Sequence, residues 1–249
     1  MNRKYLGKNV NNSKKKDNFL ILDPIIRKKE QAKYTNLQES KYGIDIWNAY
    51  EFSYLDKQKS PRLAILEIII PSKSAITIES KSMKIYLNSF FNKDFLNTSE
   101  VIKTIKNDLS NICKISVKVR IKKTFAKKPS SISLIDNNNR ITKPNKVYKF
   151  EAFRSLCPVT NQPDWAVIYI RSSGTMNIAW LNKYFLSFRN TGEFHELCID
   201  KIFSKIINEY KPDKFCVYGR FLRRGGIDIN PMRANANEYM FLNFREDAQ

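Results

Sequence analysis

The sequence predicts an α+β protein in which one unit, antiparallel strands with helices packed on one face, occurs twice. The segments KIYLNSFFN (84–92) and KYFLSFRN (183–190) resemble each other, and each is followed by a helical pattern and then a strand pattern. A stretch rich in Pro, Ser, Asn and Lys at 124–147 separates the two patterns, as expected of a linker. We therefore expect two diverged copies of one folding unit. Chance similarity of two amphipathic segments is the alternative.

The first copy begins with a buried strand. Residues 62–70 are almost continuously apolar, which predicts a strand covered on both faces. A helix is predicted to start at Asn97, because N-cap residues there precede apolar residues at helical spacing: Ile102, Ile105, Leu109 and Ile112. The segment 115–121 alternates apolar and polar residues and predicts a half-buried strand.

The second copy repeats this plan. Residues 165–172 predict a strand, and 177–188 predict a helix with its aromatic residues on one face. A second helix is predicted over 194–210, where an apolar stripe runs along one face. Residues 214–221 predict the closing strand. The expected organisation is a basic, partly ordered arm at 1–45, a first module at 46–125, a linker at 126–147 and a second module at 148–249.

Composition limits the functional classes. The four cysteines form no CxxC motif and the chain has one histidine, so no Cys/His metal site is expected. No apolar stretch is long enough for a membrane span, and the basic N-terminus lacks an apolar signal region, so we expect a cytoplasmic protein. The net charge of +20 suggests a polyanionic partner such as nucleic acid. The alternative is a Lys-rich composition without a specific partner.

The stretch SLCPVTNQPDWA (155–166) places a thiol and a carboxylate seven residues apart around polar turn residues. Because Pro158 cannot continue a helix or donate a backbone hydrogen bond, we expect Cys157 to lie at a turn. A tight loop would bring Asp164 close to the thiol, where like-charge repulsion raises both pKa values. Such an aspartic acid stays protonated and acts as an acid beside a nucleophilic thiol. The alternative is a buried cysteine beside a turn-forming aspartate.

The stretch IESKSMKIYLNSF (78–90) alternates charged and hydroxyl side chains. In an extended segment, Glu79 and Lys81 would lie on the same face. A glutamate in a pocket suits a guanine-like edge, because its two oxygens accept hydrogen bonds from adjacent ring N–H and amino donors. The alternative is the solvated end of a charged strand.

Two further stretches carry candidate binding residues. His195 lies between Phe194 and Glu196 at a predicted helix start, and these three side chains together can bind a base, although a lone histidine is usually structural. The stretch GRFLRRGGIDINP (219–231) combines three arginines with a Gly-Gly pair. This suits phosphate groups, because Arg donates bidentate hydrogen bonds and Gly permits close approach. No GxGxxG motif follows a predicted strand, so a Rossmann-type site is not indicated.

Taken together, the four stretches IESKSMKIYLNSF, SLCPVTNQPDW, EFHE and GRFLRRGGIDINP resemble the NADPH-dependent 7-cyano-7-deazaguanine reductases, the nitrile reductases of queuosine biosynthesis. The resemblance covers roughly residues 45–235 and is to the longer form with two tandem tunnelling-fold (T-fold) modules. It implies that NADPH reduces the nitrile of 7-cyano-7-deazaguanine (preQ0) to the aminomethyl group of 7-aminomethyl-7-deazaguanine (preQ1). The reaction would pass through a covalent cysteine thioimide and need no metal.

The resemblance also implies roles for individual residues. Cys157 would attack the nitrile carbon, and Asp164 would donate the proton. The residues implied to bind the substrate are Ile78, Glu79, Ser80, His195 and Glu196. The residues implied to bind NADPH are Ser80, Lys81, Arg224 and Gly225.

Two other interpretations remain open at this stage. A T-fold pterin or purine enzyme of the cyclohydrolase kind needs zinc and Cys/His ligands, against which the single histidine argues. A basic RNA-binding protein without catalysis would show affinity that falls steeply with salt. For the reductase, the resemblance implies a small-molecule substrate that is a free base, so nucleic acid is not required and no membrane is involved. By analogy with T-fold proteins, which close their barrels by association, it also predicts a homodimer.

Overall fold

A computed structural model of the chain describes residues 18–27 and 39–249. Much of the arm predicted at residues 1–45 therefore lies outside the described residues. In the described part, four α-helices occur: α1 (Ser80–Asn88), α2 (Thr98–Cys113), α3 (Ile178–Leu186) and α4 (His195–Tyr210). None of these helices is long and apolar enough to cross a membrane.

Ten strands accompany these helices in residues 18–27 and 39–249. They are β1 (Pro24–Ile26), β2 (Ile44–Leu55), β3 (Pro61–Pro71), β4 (Ile76–Ile78), β5 (Lys118–Ile121), β6 (Ile132–Ser133), β7 (Val147–Leu156), β8 (Pro163–Ser172), β9 (Phe215–Phe221) and β10 (Ile227–Ala234). The mixture of helices with mainly antiparallel strands confirms the predicted α+β class.

The chain divides into two compact units, both discontinuous in sequence. Among the described residues, the first unit contains 18–27, 47–124 and 223–227. The second contains 39–46, 125–222 and 228–249. The modules predicted at 46–125 and 148–249 stay a prediction.

The first unit is built on the buried strand that the sequence predicts at 62–70. That strand is β3, which lies next to β2 and pairs antiparallel with β5. Helix α2 starts as predicted, because the Asn97 side chain accepts a hydrogen bond from the Glu100 N–H at 3.0 Å. Strand β5 is shorter than the predicted 115–121, since α2 extends to Cys113 and ends at Lys114 in the left-handed conformation (φ 54°).

The expectation that an extended segment places Glu79 and Lys81 on the same face is wrong. Glu79 has extended backbone, but its side chain caps the helix α1, which begins at the next residue. Met83, Tyr86 and Leu87 are buried at helical spacing, so the apolar period of 3.6 residues overrides the short alternation of Glu, Ser and Lys at the start. Glu79 and Lys81 are therefore a cap and a first-turn residue of one helix.

The second unit contains a sheet with the strand order β10-β9-β8-β7-β6. All its pairs are antiparallel except β6 with β7. Helix α3 packs against β7, and helix α4 packs against β9. The core between helices and strands is largely aromatic and aliphatic, and its fully buried members include Phe150, Phe153, Ile168, Leu181, Phe185, Ile202, Phe203, Ile206 and Val217. Burying each such side chain contributes roughly 1.5–3 kcal/mol.

A buried arginine fixes helix α4 to this unit. Arg233 of β10 donates from Nε to Asp200 of α4 at 2.5 Å and from Nη1 to Asp45 at 2.8 Å. All three side chains are almost completely buried. Because removing one member leaves a buried charge uncompensated, this cluster strongly constrains the position of α4. The first residue of that helix is His195.

Candidate active site

Cys157 lies in the turn that joins β7 to β8, as its proline neighbour predicts. Its N–H donates to the Gln162 carbonyl at 2.9 Å, and its carbonyl accepts from the Asn161 N–H at 3.0 Å. Asn161 has a positive φ of 53°, which this short polar residue tolerates. The six-residue loop 157–162 is therefore closed on itself, and the thiol sits at its first position, half-buried.

The hairpin register brings Asp164 back beside the thiol. Ser155 lies opposite Asp164, and Leu156 lies opposite Pro163. The Asp164 side chain is 4% exposed, and its charge acts on the Cys157 thiol. The structure thus brings Cys157 and Asp164 together, as their spacing in the sequence predicts.

His195 joins this pair through a short segment that pairs with the end of β7. The Leu156 N–H donates to the Thr191 carbonyl at 2.9 Å, and the Glu193 N–H donates to the Leu156 carbonyl at 3.0 Å. This pairing places the start of α4 at the turn. The His195 Nε2 lies 3.2 Å from the Asp164 Oδ2, close enough for the imidazole N–H to donate to the carboxylate.

The surroundings of Cys157 favour its thiolate. Partial burial raises the pKa of the thiol, and so does the Asp164 charge. Hydrogen bonds from the Thr160 hydroxyl and from the backbone N–H groups of Thr160 and Val159 outweigh both effects, so the pKa is lowered from its ordinary value. The nearby carboxylate alone predicts a raised pKa for Cys157, and that prediction is wrong because the hydrogen-bond donors of the loop outweigh it.

Two other cysteines, Cys198 and Cys216, have thiols whose pKa is raised and not lowered. Burial raises the pKa of Cys198 to about 12. Burial also raises the pKa of Cys216, and both side chains are completely buried. Cys157 is therefore distinguished by its environment and not only by its position in the sequence.

The remaining predicted residue of this unit, Glu196, occupies the first turn of α4 and is 8% exposed. The N-cap residue Phe194 makes no side-chain capping hydrogen bond. A carboxylate in the first turn interacts favourably with the uncapped N–H groups of the helix. Glu196 is therefore an acceptor in the first turn of α4, directly after His195.

In the first unit, Glu79 is a buried acceptor held by the start of α1. Its Oε1 accepts from the Lys81 N–H at 2.8 Å, and its Oε2 accepts from the Ser82 N–H at 2.7 Å. The preceding residue, Ile78, is the last residue of β4 and is also buried. Both oxygens of Glu79 are thereby fixed in direction, which a carboxylate needs if it is to recognise two adjacent donors.

The four residues expected to bind NADPH lie around the start of α1 and one glycine-containing turn of the first unit. Ser80 and Lys81 form the first turn of α1, and Arg224 and Gly225 lie in the turn after β9. Gly225 has a positive φ of 59°, and a Cβ built there would lie 3.3 Å from the Lys84 Cδ, so the turn approaches α1 closely. The Tyr50 N–H holds this turn by donating to the Gly226 carbonyl at 2.9 Å.

This arrangement fits the phosphates of a dinucleotide, because it combines the start of a helix with cationic side chains and a glycine turn. Backbone N–H groups and guanidinium donors bind phosphate oxygens, and glycine allows the backbone to approach them. In residues 18–27 and 39–249, no group of three or more His, Cys, Asp and Glu residues is arranged to hold a metal ion.

We predict that Thr160→Val raises the pKa of Cys157, because it removes the hydroxyl that stabilises the thiolate. A rise of one unit lowers the thiolate fraction at neutral pH by up to about tenfold. The measurement is the rate of alkylation by iodoacetamide against pH, with the modified residue located by peptide mapping. Thr160→Ser keeps a hydroxyl and serves as the control. An unchanged midpoint in Thr160→Val would contradict the assignment.

Comparison with known proteins identifies two regions of the chain. Residues 14–121 match the family described as "Nitrile reductase, 7-cyano-7-deazaguanine-reductase N-term". Residues 163–240 match the family described as "QueF-like protein". The first region includes Glu79 and Lys81, and the second includes Asp164, His195 and Arg224. Cys157 lies in the segment between them.

Individual relatives align over the segment between these two regions as well. A Buchnera aphidicola protein named NADPH-dependent 7-cyano-7-deazaguanine reductase is 42% identical, over 92% of this chain and 97% of its own length. Proteins of the same name from Burkholderia cenocepacia and Coxiella burnetii are each 38% identical over 84% of this chain, and the alignments cover 84% and 82% of their lengths. The chain belongs to the NADPH-dependent 7-cyano-7-deazaguanine reductase family.

Proposed function

We propose that this chain uses NADPH to reduce the nitrile of 7-cyano-7-deazaguanine to the aminomethyl group of 7-aminomethyl-7-deazaguanine, in the biosynthesis of queuosine. The observation that carries the proposal is a thiol of lowered pKa at Cys157, beside the buried Asp164 and its partner His195. Family membership gives the substrate and the cofactor. The RNA-binding alternative, which rests on the charge of +20, has no comparable support.

The first chemical step suits this group of residues. A nitrile carbon is an electrophile, and the Cys157 thiolate attacks it to form the C–S bond of a thioimide. The attack moves an electron pair of the C≡N bond onto nitrogen, which then needs a proton. Asp164 is the proposed donor, and the hydrogen bond between its Oδ2 and the His195 Nε2 keeps an exchangeable proton at that position.

The overall reaction balances with two hydrides and two protons. NADPH supplies one hydride in each of two reductions when it is bound. The first reduction and loss of the Cys157 thiolate give an imine, and the second gives the amine. Low exposure of Asp164 and His195 limits the access of water, which would otherwise hydrolyse an imine.

Recognition of the base is assigned to carboxylates held at helix starts. We propose that Glu196 and Glu79 each accept hydrogen bonds from N–H donors of the deazaguanine, with Ile78, Ser80 and His195 also contacting the substrate. The support for Glu79 is the fixed direction of both its oxygens. A site that is built to accept from a purine N–H discriminates strongly against analogues that lack it.

NADPH is assigned to Ser80, Lys81, Arg224 and Gly225. The support is the approach of the glycine turn to α1, which collects backbone N–H groups and cationic side chains in one place. We also propose the T-fold for the two modules, a homodimer, a cytoplasmic location and an activity that needs no nucleic acid. These four follow from family resemblance.

We predict a covalent adduct when the protein is mixed with 7-cyano-7-deazaguanine in the absence of NADPH. Intact-protein mass spectrometry should show an added mass equal to the whole substrate, because addition of a thiol to a nitrile releases nothing. Cys157→Ala should give no adduct, and Cys216→Ala, the matched control at a buried thiol, should keep it. An adduct that persists in Cys157→Ala, or none in the folded wild-type protein, would refute the mechanism.

We predict that Arg224→Ala raises the KM for NADPH by about tenfold or more, since a hydrogen bond to a charged group contributes about 1.5–3 kcal/mol. Thioimide formation without NADPH should keep its wild-type rate. Arg62→Ala is the control, because Arg62 is an exposed arginine of the same unit that pairs with Asp56 at 2.5 Å. Equal effects of the two substitutions on the KM would show that Arg224 is not a cofactor residue.

A further inference from the structure

We propose that Phe221 is a positioning residue, whose ring holds the His195 imidazole with its Nε2 directed at Asp164. The inference rests on the proposed function, because it assigns Phe221 an effect on the rate at which Cys157 adds to the nitrile. Phe221 itself acts through His195. None of the roles that the family resemblance implies falls on this residue.

The two rings stack face to face. Their centroids are 3.9 Å apart, and their planes differ by 7°. Parallel contact at this distance fixes the plane of the imidazole and leaves only rotation within that plane. The hydrogen-bond distance of 3.2 Å between the Nε2 and the Asp164 Oδ2 then fixes the rotation.

Stacking is the larger constraint on this imidazole. The Nδ1 of His195 is buried and has no hydrogen-bond partner among the described residues. Within the part of the chain that the structure describes, the Nε2 therefore makes the one hydrogen bond of this ring. A single hydrogen bond does not fix the tilt of a ring. Without the Phe221 ring, the imidazole is free to tilt away from Asp164.

The sheet presents Phe221 on the correct face. Phe221 lies opposite Ala166, which is two residues after Asp164 in β8. Residues two apart in a strand face the same side, and so do residues that lie opposite each other, so Asp164 and Phe221 share a face. Helix α4 packs against β9, which brings His195 to both side chains.

Phe221 is itself held firmly. Its side chain is completely buried, and its ring meets the edge of Phe153 at 6.1 Å between centroids. Its N–H donates to the Asn230 Oδ1 at 3.2 Å, and its carbonyl accepts from the Gln249 Nε2 at 2.6 Å. The ring is therefore a fixed surface for His195.

A glycine makes room for this arrangement. Gly219 lies two residues before Phe221 on β9, and a Cβ built there would lie 2.8 Å from the Phe221 Cε2 and 2.8 Å from the Ile199 Cδ1. Ile199 is one helical turn after His195. A side chain at position 219 would therefore displace the Phe221 ring, α4 or both.

The test uses the single histidine of the chain as a reporter. In protein without a histidine tag, NMR should show one pair of imidazole C–H signals, shifted upfield by the ring current of Phe221. Phe221→Leu should abolish this shift. It should also slow thioimide formation without NADPH by about 10- to 100-fold, the cost of misplacing a catalytic group by about 1 Å.

Phe203→Leu is the matched control. Phe203 is a completely buried phenylalanine of α4 in the same core, where it packs on Phe215. Phe203→Leu should lower the melting temperature about as much as Phe221→Leu does. It should leave both the imidazole signals and the rate of adduct formation near their wild-type values. Gly219→Ala is the second variant, should Phe221→Leu fail to fold. It keeps the Phe221 ring, and it should move the imidazole signals and slow adduct formation.

The outcomes separate this inference from the proposed function. Unshifted imidazole signals in the wild-type protein overturn the stacking, whatever the activity. A shift lost in Phe221→Leu with adduct formation at the wild-type rate overturns the positioning role. Equal slowing in Phe203→Leu also overturns it, because the effect is then one of general packing. If the wild-type protein forms no adduct, the proposed function fails and the positioning role fails with it, whereas the imidazole signals still decide the stacking.

Discussion

The register of the β7–β8 hairpin is the constraint on which the candidate site depends. With Leu156 opposite Pro163, the loop has six residues, and Asp164 returns beside the thiol at the start of the loop. The same Leu156 pairs with the segment before α4 and so brings His195 to the carboxylate. A shift of the register by one residue would turn Asp164 to the opposite face and separate the pair.

This hairpin holds the Cys157 thiol and the Asp164 carboxyl group close together, and the two groups repel each other when both are charged. The thiolate is stabilised by donors of its own loop, chiefly Thr160, and the carboxylate by the imidazole of His195. A thiol of lowered pKa therefore lies beside a carboxyl group that is hydrogen-bonded to an imidazole. At Cys198 and Cys216, burial outweighs the one hydrogen bond that each thiol accepts, from Ser155 and from the Phe241 backbone respectively, and raises the pKa.

The sequence predicts the elements better than the contacts. Strand β8 and helix α4 follow from apolar periodicity, because packing on one core decides both. The start of α1 is not predicted. The alternation of Glu79, Ser80 and Lys81 is typical of an extended segment, and the apolar period of a helix appears only in the residues that follow. The Asp164–His195 pair joins residues 31 positions apart, and the stacking of His195 on Phe221 joins two secondary-structure elements, so no local pattern reveals either.

The most direct test of covalent catalysis by Cys157 follows the nitrile carbon. The protein is mixed, without NADPH, with 7-cyano-7-deazaguanine labelled with ¹³C at the nitrile, and the carbon is observed by NMR. We predict that the signal moves from the nitrile to the imine region in the wild-type protein, and that it moves much more slowly in Asp164→Asn, which lacks the acid. A signal that stays in the nitrile region while the substrate is bound would contradict covalent catalysis by Cys157.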